Sequence, residues 1–458
     1  METVREVDVA IVGAGLAGLV AARDVVAAGA TAVVVEARER VGGRVLNEPI
    51  GGGEVVEVGG QWIGPTQDRV AALARELEIA TFPTHTAGEN LLDWGGERRR
   101  YSGTIPRINP VVLADVAQAQ RRLERMSRRV PLDRPWLARR ADAWDAQTTE
   151  TWLRRNVATG AARELLRLGF QSVWATEPRD VSLLHTLFYV HSAGGSLDML
   201  FDAEGGAQQD RFVGGSQRLP DELAARLGDA NVLLGAPVRR IDHGPDGVVV
   251  GAERADGERV AVRARRAIVA LAPALAGRIV YDPPLPGARD QLTQRTPLGT
   301  VAKCMAIYDE PFWRADGLSG EATSDRGLVR LTFDNSPPGG RPGVLLGFVE
   351  GQRARELGRM APDARRAAVV DCFARLFGPR AASPDGYVER LWAEEEFTRG
   401  CYGCHLPPGA WTGYGEALRA PIGPLHWAGA EVAEVWSGYM DGAVRSGETA
   451  AAAAVAAL

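Results

Sequence analysis

The sequence contains almost no lysine. Of the 53 basic side chains in its 458 residues, only Lys303 is a lysine, and the other 52 are arginines. A coding bias toward arginine explains this skew and has no consequence for folding. Because that bias leaves a single ammonium side chain, we expect Lys303 to have a specific chemical role.

Other shortages exclude whole classes of protein. The net charge is −5 with 24% charged residues, which is not the basic composition of a nucleic-acid-binding protein. Four cysteines are too few for the disulfide scaffold of a secreted domain. The six histidines show no metal-ligand spacing, so we predict no metal site.

Neither end of the sequence carries a targeting or membrane signal. No signal-peptide pattern precedes the first strand. The apolar segment Thr449–Leu458 is about half the roughly 20 residues that a membrane-spanning helix needs. We therefore expect a soluble, cytoplasmic protein without a membrane anchor, and a homodimer remains open.

Hydrophobic residues make up 45% of the chain, enough for two or three domains. The N-terminus has the pattern of a βαβ unit, with strand Val7–Val12, helix Leu16–Ala28 and strand Ala32–Glu36. Further strand signals lie between residues 232 and 270, joined by the hairpin turn Gly244–Gly247. We predict an α/β fold with two interleaved domains. One comprises residues 1–80, 212–285 and 386–458, and the other residues 81–211 and 286–385.

A dinucleotide-binding fingerprint follows the first strand. Gly13, Gly15 and Gly18 match G-x-G-x-x-G at the start of the first helix, where glycines allow backbone amides to approach a pyrophosphate. Glu36 ends the second strand 18 residues after Gly18, where a carboxylate binds ribose hydroxyls. The match on its own also fits a glycine-rich turn with a surface glutamate, but the full arrangement favours the dinucleotide site.

A second glycine element separates flavin from nicotinamide binding. Gly42, Gly43 and Arg44 follow Glu36 closely, and Arg44 can offer a forked donor to a diphosphate. Simple NAD dehydrogenases lack this element, whereas a large group of FAD enzymes carries it. The stretch Gly59–Trp62 adds flexible backbone beside an aromatic ring, although a hairpin turn with a core tryptophan fits it equally well.

With these elements the chain resembles the flavin-containing monoamine oxidases, and within them the soluble bacterial cyclohexylamine and monoamine oxidases. The resemblance runs nearly end to end and implies that the first domain is a Rossmann-like FAD-binding domain of the GR2 type. The second domain is then a substrate domain of mixed sheet and helices. The stretches that carry the resemblance are Gly64–Gln67, Tyr101–Pro106, Gly206–Arg211, Phe212–Gly215, Pro297–Cys304, Gly400–Tyr402, Pro407–Gly409 and Trp436–Ala443.

The resemblance also implies roles for individual residues. Lys303 would hold a water near the flavin N5 atom, and Trp392 would pack near the flavin ring. Tyr402 and Tyr439 would form two parallel walls of an aromatic cage, whose electron-rich faces receive an amine. The cofactor-binding residues implied by the fingerprint and the resemblance are Gly13, Ala14, Gly15, Gly18, Glu36, Ala37, Arg38, Gly42, Gly43, Arg44, Gly59, Gly60, Gln61, Trp62, Val238, Trp392, Cys401, Gly429, Glu431, Gly438, Tyr439 and Met440.

Cys401 raises the question of covalent flavin attachment. In the resemblance it occupies the position that forms a thioether to FAD in mammalian relatives, while soluble bacterial members often lack a cysteine there. Covalent and noncovalent FAD therefore both remain open. Cys304, Cys372 and Cys404 are interpreted as structural.

The resemblance implies oxidation of a primary amine by dioxygen, giving an aldehyde or ketone, ammonia and hydrogen peroxide. Cyclic or aromatic monoamines are favoured because Trp174 suggests a compact pocket. A diamine or polyamine oxidase remains open through Asp198, Asp202 and Glu204. An L-amino-acid oxidase, a biosynthetic flavin oxidase or desaturase, and a non-catalytic flavin-binding protein are further alternatives. The residues predicted to line the substrate pocket are Val173, Trp174, Leu200, Phe201, Gln208, Tyr402 and Tyr439.

Overall fold

The first hundred residues form the predicted βαβ unit and a series of short strands. The computed structural model describes residues 2–103 and 108–458, so the last three residues of the motif Tyr101–Pro106 lie outside the described residues. The first elements are β1 (Glu2–Val12), α1 (Leu16–Ala27), β2 (Ala32–Val35), β3 (Asn47–Gly51), β4 (Glu54–Glu57), β5 (Trp62–Ile63), α2 (Asp68–Glu76), β6 (Thr81–Pro83), β7 (Glu89–Trp94) and β8 (Glu97–Tyr101).

The next segment is helical and then returns to strands. Asn109, Thr148, Thr159 and Ser182 begin its longer helices, because each side chain accepts a hydrogen bond from a free N–H of the first turn. The elements are α3 (Pro110–Ser127), α4 (Ala141–Asp145), α5 (Thr149–Asn156), α6 (Gly160–Trp174), α7 (Leu183–Ser192), α8 (Asp198–Phe201), β9 (Asp210–Phe212), α9 (Arg218–Leu227), β10 (Val232–Leu233), β11 (Val238–Gly244), β12 (Gly247–Glu253), β13 (Arg259–Val269), α10 (Pro273–Ala276) and β14 (Val280–Asp282).

The last segment completes both large sheets and ends in a long helix. Its elements are α11 (Gly287–Gln294), β15 (Val301–Tyr308), α12 (Phe312–Ala315), β16 (Leu318–Ser324), β17 (Leu331–Asp334), β18 (Gly343–Glu350), α13 (Gly351–Leu357), α14 (Pro362–Phe377), β19 (Gly386–Leu391), α15 (Ala410–Tyr414), β20 (Leu425–Trp427) and α16 (Met440–Ala456).

The first sheet has the strand order β10-β2-β1-β13-β12-β11-β14, with β20 also paired to β13. Strands β10, β2, β1, β13 and β20 run parallel, whereas the hairpin of β11 and β12 is antiparallel. The segments Val9–Val12, Ala32–Val35 and Ala267–Val269 of the parallel strands are apolar and buried, and helices α1 and α16 cover one face of the sheet. The βαβ unit, the hairpin at Gly244–Gly247 and the α/β class are confirmed.

The second sheet has the order β19-β15-β18-β17-β16-β7-β8. Its neighbours are antiparallel except for β16 and β7. Strand β19 pairs with β15 from Ala302↔Leu391 to Ile307↔Gly386. The predicted boundary between residues 385 and 386 is therefore wrong for this strand, because its backbone hydrogen bonds place it in the sheet of the substrate segments. The rest of the domain division stays a prediction.

A helical layer forms a third core beside the two sheets. Buried aromatic and aliphatic side chains of α3, α5, α6 and α7 pack together there with Trp411 and Trp436 from the C-terminal part. This layer and both sheets contribute to the walls of one large cavity. In the described residues no helix is long and apolar enough to cross a membrane.

Candidate active site

One cavity of about 1040 Å³ extends from the glycine turn after β1 to the two predicted cage tyrosines. Gly13, Gly15 and Glu36 lie on its wall, as do Lys303, Tyr402 and Tyr439. Its volume is just above the roughly 300–1,000 Å³ range of small-ligand pockets. The cavity is therefore large enough for an extended ligand together with a small substrate.

The glycine end of the cavity is built from backbone. Gly13 has φ +103°, and its N–H donates to the carbonyl oxygen of Val35 at 2.8 Å. A Cβ at Gly18 would lie 1.9 Å from the carbonyl oxygen of Gly13, so only glycine allows α1 to pack this closely. Helix α1 begins after Gly15 without a side-chain cap, which leaves its first N–H groups available to an anion.

Glu36 closes this end of the cavity. It is 4% exposed, and its carboxylate accepts hydrogen bonds from the backbone N–H of Ala14 at 2.8 Å and of Arg38 at 3.0 Å. The carboxylate is thus held at the end of β2 beside the uncapped helix. A pyrophosphate at the helix and a ribose at the carboxylate fit these residues, as FAD requires.

Arg44 is paired within the protein. Its guanidinium forms a bidentate ion pair with Glu431, at 2.5 and 3.0 Å, and also donates to the carbonyl oxygen of Tyr402 at 2.7 Å. Burial disfavours both charges, yet their attraction raises the pKa of Arg44 and lowers that of Glu431. The pair ties the second glycine element to the cage segment, and Arg44 also lies on the cavity wall, so its contact with a diphosphate stays a prediction.

Lys303 lies in β15 and is 2% exposed. Its Nζ donates to the carbonyl oxygens of Glu57 at 2.6 Å and Gly59 at 2.9 Å, and to Oε1 of Gln61. These three acceptors use every N–H of an ammonium group. Burial lowers the pKa of Lys303 to about 7. A water bound to Lys303 would have to compete with one of the three acceptors.

A polar network holds the acceptors of Lys303. Nε2 of Gln61 donates to Oδ1 of Asn335 at 2.8 Å. Arg211 forms a fully buried ion pair with the Glu57 carboxylate at 2.6 Å. The network leaves Nζ 5.7 Å from the centre of the Trp62 ring on the cavity wall. A hydrogen-bond network therefore fixes the position of the single lysine at the cavity wall.

Both predicted cage tyrosines lie on the cavity wall and are buried on their other sides. The Tyr439 ring centre lies 4.9 Å from that of Trp436 and 5.9 Å from that of Tyr189. The Tyr402 ring lies 6.2 Å from Phe348, and its hydroxyl donates to Oε1 of Glu350 at 2.9 Å. The structure brings both rings to one cavity, and their parallel arrangement stays a prediction.

Of the predicted substrate residues, Val173, Leu200, Phe201 and Gln208 line the cavity. The Gln208 amide donates to the carbonyl oxygen of Leu200 at 3.2 Å, while its Oε1 is buried without a partner among the described residues. Trp174 is the exception. Its ring stacks on Phe170 at 4.9 Å and lines a separate cavity of about 10 Å³. The prediction that Trp174 narrows the pocket is wrong, because α6 turns this side chain into the helical core.

Most of the predicted cofactor residues also line the cavity. Four do not: Ala14, Gly18, Glu431 and Trp392 lie behind its wall. Trp392 is 1% exposed and donates from Nε1 to the carbonyl oxygen of Val58 at 2.8 Å. The predicted cofactor residues on the wall are Gly13, Gly15, Glu36, Ala37, Arg38, Gly42, Gly43, Arg44, Gly59, Gly60, Gln61, Trp62, Val238, Cys401, Gly429, Gly438, Tyr439 and Met440.

Cys401 lines the cavity, and burial raises the pKa of its thiol to about 12. At neutral pH it is therefore the thiol and not the nucleophilic thiolate. Cys304, Cys372 and Cys404 are buried and unpaired, as expected of structural cysteines. Within residues 2–103 and 108–458, no cluster of His, Cys, Asp or Glu forms a metal site.

Sequence reasoning missed two carboxyl groups on the cavity wall whose pKa values are raised. Burial raises the pKa of Glu350 to about 8 and that of Glu321 to about 7. Asp202, which the sequence did suggest, has a pKa raised to about 6 by burial and by Asp198. The one available signal for Glu350 was its position directly after the apolar strand segment Gly343–Val349.

Comparison with known proteins decides the family. Residues 16–455 match the flavin containing amine oxidoreductases. The chain belongs to this family. The sequence is 47% identical over 452 residues to "Putative flavin-containing monoamine oxidase AofH" of Mycobacterium tuberculosis, covering 99% of this chain and 97% of that protein.

Solved structures agree with the family assignment. A putrescine oxidase bound to putrescine superposes with a TM-score of 0.94 at 35% identity, covering 99% of this chain and 100% of that chain. Cyclohexylamine oxidase from Brevibacterium oxydans IH-35A superposes with a TM-score of 0.92 at 32% identity, covering 98% and 99%. The predicted resemblance, the fold class and the enzyme class are thereby confirmed for this amine oxidoreductase.

Proposed function

We propose that this flavoprotein oxidises a primary amine with dioxygen and releases an aldehyde or ketone, ammonia and hydrogen peroxide. The proposal rests on the single cavity that joins the glycine turn and Glu36 to Tyr402 and Tyr439, with Lys303 on its wall. FAD, when bound, supplies the acceptor for the hydride that leaves the α-carbon of the amine, and dioxygen reoxidises it.

The protein residues bind and orient the amine. The ring faces of Tyr402 and Tyr439 attract the amine and direct its α-carbon. The hydrogen bond to Glu350 fixes Tyr402, and contacts with Trp436 and Tyr189 fix Tyr439. Leu200 and Phe201 add apolar wall that excludes bulk water.

Cyclic or aromatic monoamines are the favoured substrates. The support is the apolar wall beside the cage and the similarity to a cyclohexylamine oxidase. The earlier support from Trp174 does not stand, because that ring lies outside the large cavity.

A diamine is the second candidate. Asp198, Asp202 and Glu321 lie on the cavity wall. Burial and a neighbouring carboxylate raise the pKa of Asp202 to about 6 and that of Glu321 to about 7, so a second ammonium would stabilise their anions. The similarity to a putrescine oxidase supports the same reading. Glu204, which the sequence also suggested, is exposed and not on the cavity wall.

A peroxide assay with cyclohexylamine, phenethylamine, putrescine and an amino acid tests the function and ranks the substrates. We expect peroxide with the first two and loss of the yellow colour when either is added without oxygen. A flavin-loaded protein that gives neither signal with any amine would be a non-catalytic flavin-binding protein.

We propose that FAD is held without a covalent bond, because the Cys401 thiol with its raised pKa is a weak nucleophile. Acid precipitation should leave the flavin in the supernatant. Flavin that stays in the pellet of the parent protein but leaves the pellet of Cys401→Ala would establish a thioether instead.

A further inference from the structure

Glu350 is a buried carboxyl group at the cage that the reaction outlined above does not use as a chemical group. It is the last residue of β18, directly before α13, and is 8% exposed. The preceding residues of the strand are buried throughout. A carboxyl group in this position loses most of its hydration, which a protein tolerates where the group is bonded or functional.

The two oxygens of Glu350 have different surroundings. Oε1 accepts the hydrogen bond from the Tyr402 hydroxyl at 2.9 Å. Oε2 has no hydrogen-bond partner among residues 2–103 and 108–458, and the side chain lies on the cavity wall. One oxygen is therefore anchored to a cage tyrosine, while the other is left without a hydrogen bond on a side chain that lines the cavity.

The charged groups on the neighbouring elements are already engaged. Arg330 is bound by Glu164 at 3.0 Å, by Gln171 and by the carbonyl oxygen of Ser324. Glu177, beside Gly351, is paired with Arg355 at 2.9 Å. Lys303, opposite Phe348 in the adjacent strand, is held by its three acceptors. None of these groups neutralises Glu350 by direct contact in the described structure.

Amine oxidation needs a proton acceptor. An alkylamine with a pKa near that of lysine, about 10.4, enters from neutral water as an ammonium ion. Loss of hydride from the α-carbon requires the nitrogen lone pair, so the ammonium must first lose a proton. A group that accepts it has to lie within hydrogen-bond reach of the amine nitrogen.

We propose that Glu350 accepts this proton when the substrate enters the cage. The N–H bond of the ammonium breaks, an O–H bond forms at Oε2, and the carboxylate and ammonium become a carboxylic acid and a neutral amine without any change in oxidation state. The Tyr402 hydroxyl remains bonded to Oε1 throughout and holds the carboxyl group in place. This role rests on the proposed amine oxidation.

The protonation behaviour of Glu350 agrees with the geometry. Burial raises its pKa to about 8, although Tyr402 and Arg330 act in the opposite direction. A carboxyl group with this proton affinity is a stronger base than an ordinary glutamate, and it still loses its proton to water at moderately alkaline pH. Below this pKa the free enzyme carries the acid form and cannot accept a proton.

The test compares the pH dependence of kcat/KM in the parent protein and in Glu350→Gln. In the parent, kcat/KM for phenethylamine should rise to about pH 8 and level off, following Glu350. In Glu350→Gln it should keep rising to the pKa of the amine, because only the free base reacts. We expect about a 100-fold loss at pH 8, as is typical for a lost general base, and near-parental values at pH 10.5.

Controls separate this role from a structural one. Glu356→Gln makes the same change at an exposed position of α13 and should keep the parental profile. The flavin absorbance spectrum and the melting temperature report folding of each variant. If Glu350→Gln does not bind flavin, Glu350→Asp takes its place because it keeps a carboxyl group. The supporting result is then that kcat/KM of Glu350→Asp levels off at a pH different from about 8.

Other outcomes overturn the proposal. A Glu350→Gln loss that is equal at every pH would assign the residue only to packing, and an unchanged profile in Glu350→Gln or Glu350→Asp would exclude it as the acceptor. A parent protein without amine oxidation at any pH fails in a different way, since it would overturn the proposed function itself.

Discussion

Backbone groups form the wall at one end of the cavity, and side chains form it at the other end. Around Gly13 and Gly18 the ligand would meet amide groups and a helix terminus, whose positions follow from the strand-turn-helix path. Around Tyr402 and Tyr439 it would meet rings and buried titratable groups, contributed by segments far apart in the chain. In the first region a Cβ added at Gly13 or Gly18 would lie 2.9 or 1.9 Å from a backbone oxygen. In the second region burial and neighbouring charges set the pKa of each titratable group.

The largest expected effect is at the backbone end. Gly18→Ala should abolish flavin binding, because its Cβ would lie 1.9 Å from the Gly13 carbonyl oxygen and force α1 away from β1. Gly160→Ala, at the start of α6, is the matched control, since its Cβ meets only the tip of Arg163 at 4.0 Å. The flavin content per protein chain is measured for both variants. A Gly18→Ala protein that is still yellow would contradict the close-packing argument.

Lys303→Met tests the role of Lys303, which lies on the wall of the same cavity as the glycine turn and the two tyrosines. It removes the only lysine and leaves three acceptors without their donor. We expect the reoxidation of the reduced protein by oxygen to slow about 100-fold, a loss typical of a removed electrostatic contact, with a much smaller effect on reduction by the amine. Stopped-flow absorbance separates the two steps. Equal slowing of both would assign Lys303 to structure alone.

The side-chain region should also make stability depend on pH. The pKa of Glu350 is about 8 in the folded protein, above its ordinary value of 4.5. Proton binding by Glu350 therefore adds to the free energy of unfolding in full below pH 4.5, and this contribution is lost as the pH rises through about 8. Relative to the parent, Glu350→Gln should gain on the order of 4 kcal/mol in the free energy of unfolding between pH 5 and pH 9. Urea unfolding at both pH values measures this. A constant difference would place the pKa of Glu350 near its ordinary value.

The smallest expected effect concerns the carboxyl groups on the wall. Asp202→Asn should raise the KM for putrescine about tenfold if a second ammonium binds there, since a lost partially buried ion pair is worth about 1.4 kcal/mol. The KM for phenethylamine should change little. Asp246→Asn, in the hairpin turn between β11 and β12, serves as the control outside the cavity. Equal KM changes for both amines would remove the support for a diamine.

The contrast between the two regions explains which predictions succeeded. The βαβ unit, the hairpin and Glu36 at the end of β2 follow local rules of strand, turn and helix, and they were predictable. The pairing of Arg44 with Glu431, 387 residues later in the chain, could not be read from a local pattern. The burial of Trp174 depends on how α6 packs in the helical core, and the expectation that this ring narrows the pocket was wrong. The boundary at β19 failed for the same reason, because strand pairing crosses long stretches of chain.

The sequence by itself determined the fingerprint, the family resemblance and the special standing of one lysine among 53 basic residues. Those features are local motifs or counts, and no contact is needed to recognise them. Only the tertiary structure showed what surrounds Lys303 and that Glu350 bonds to Tyr402 across 52 residues. Burial and charge partners depend on how distant segments pack, and they decide the pKa of each group and therefore its chemistry.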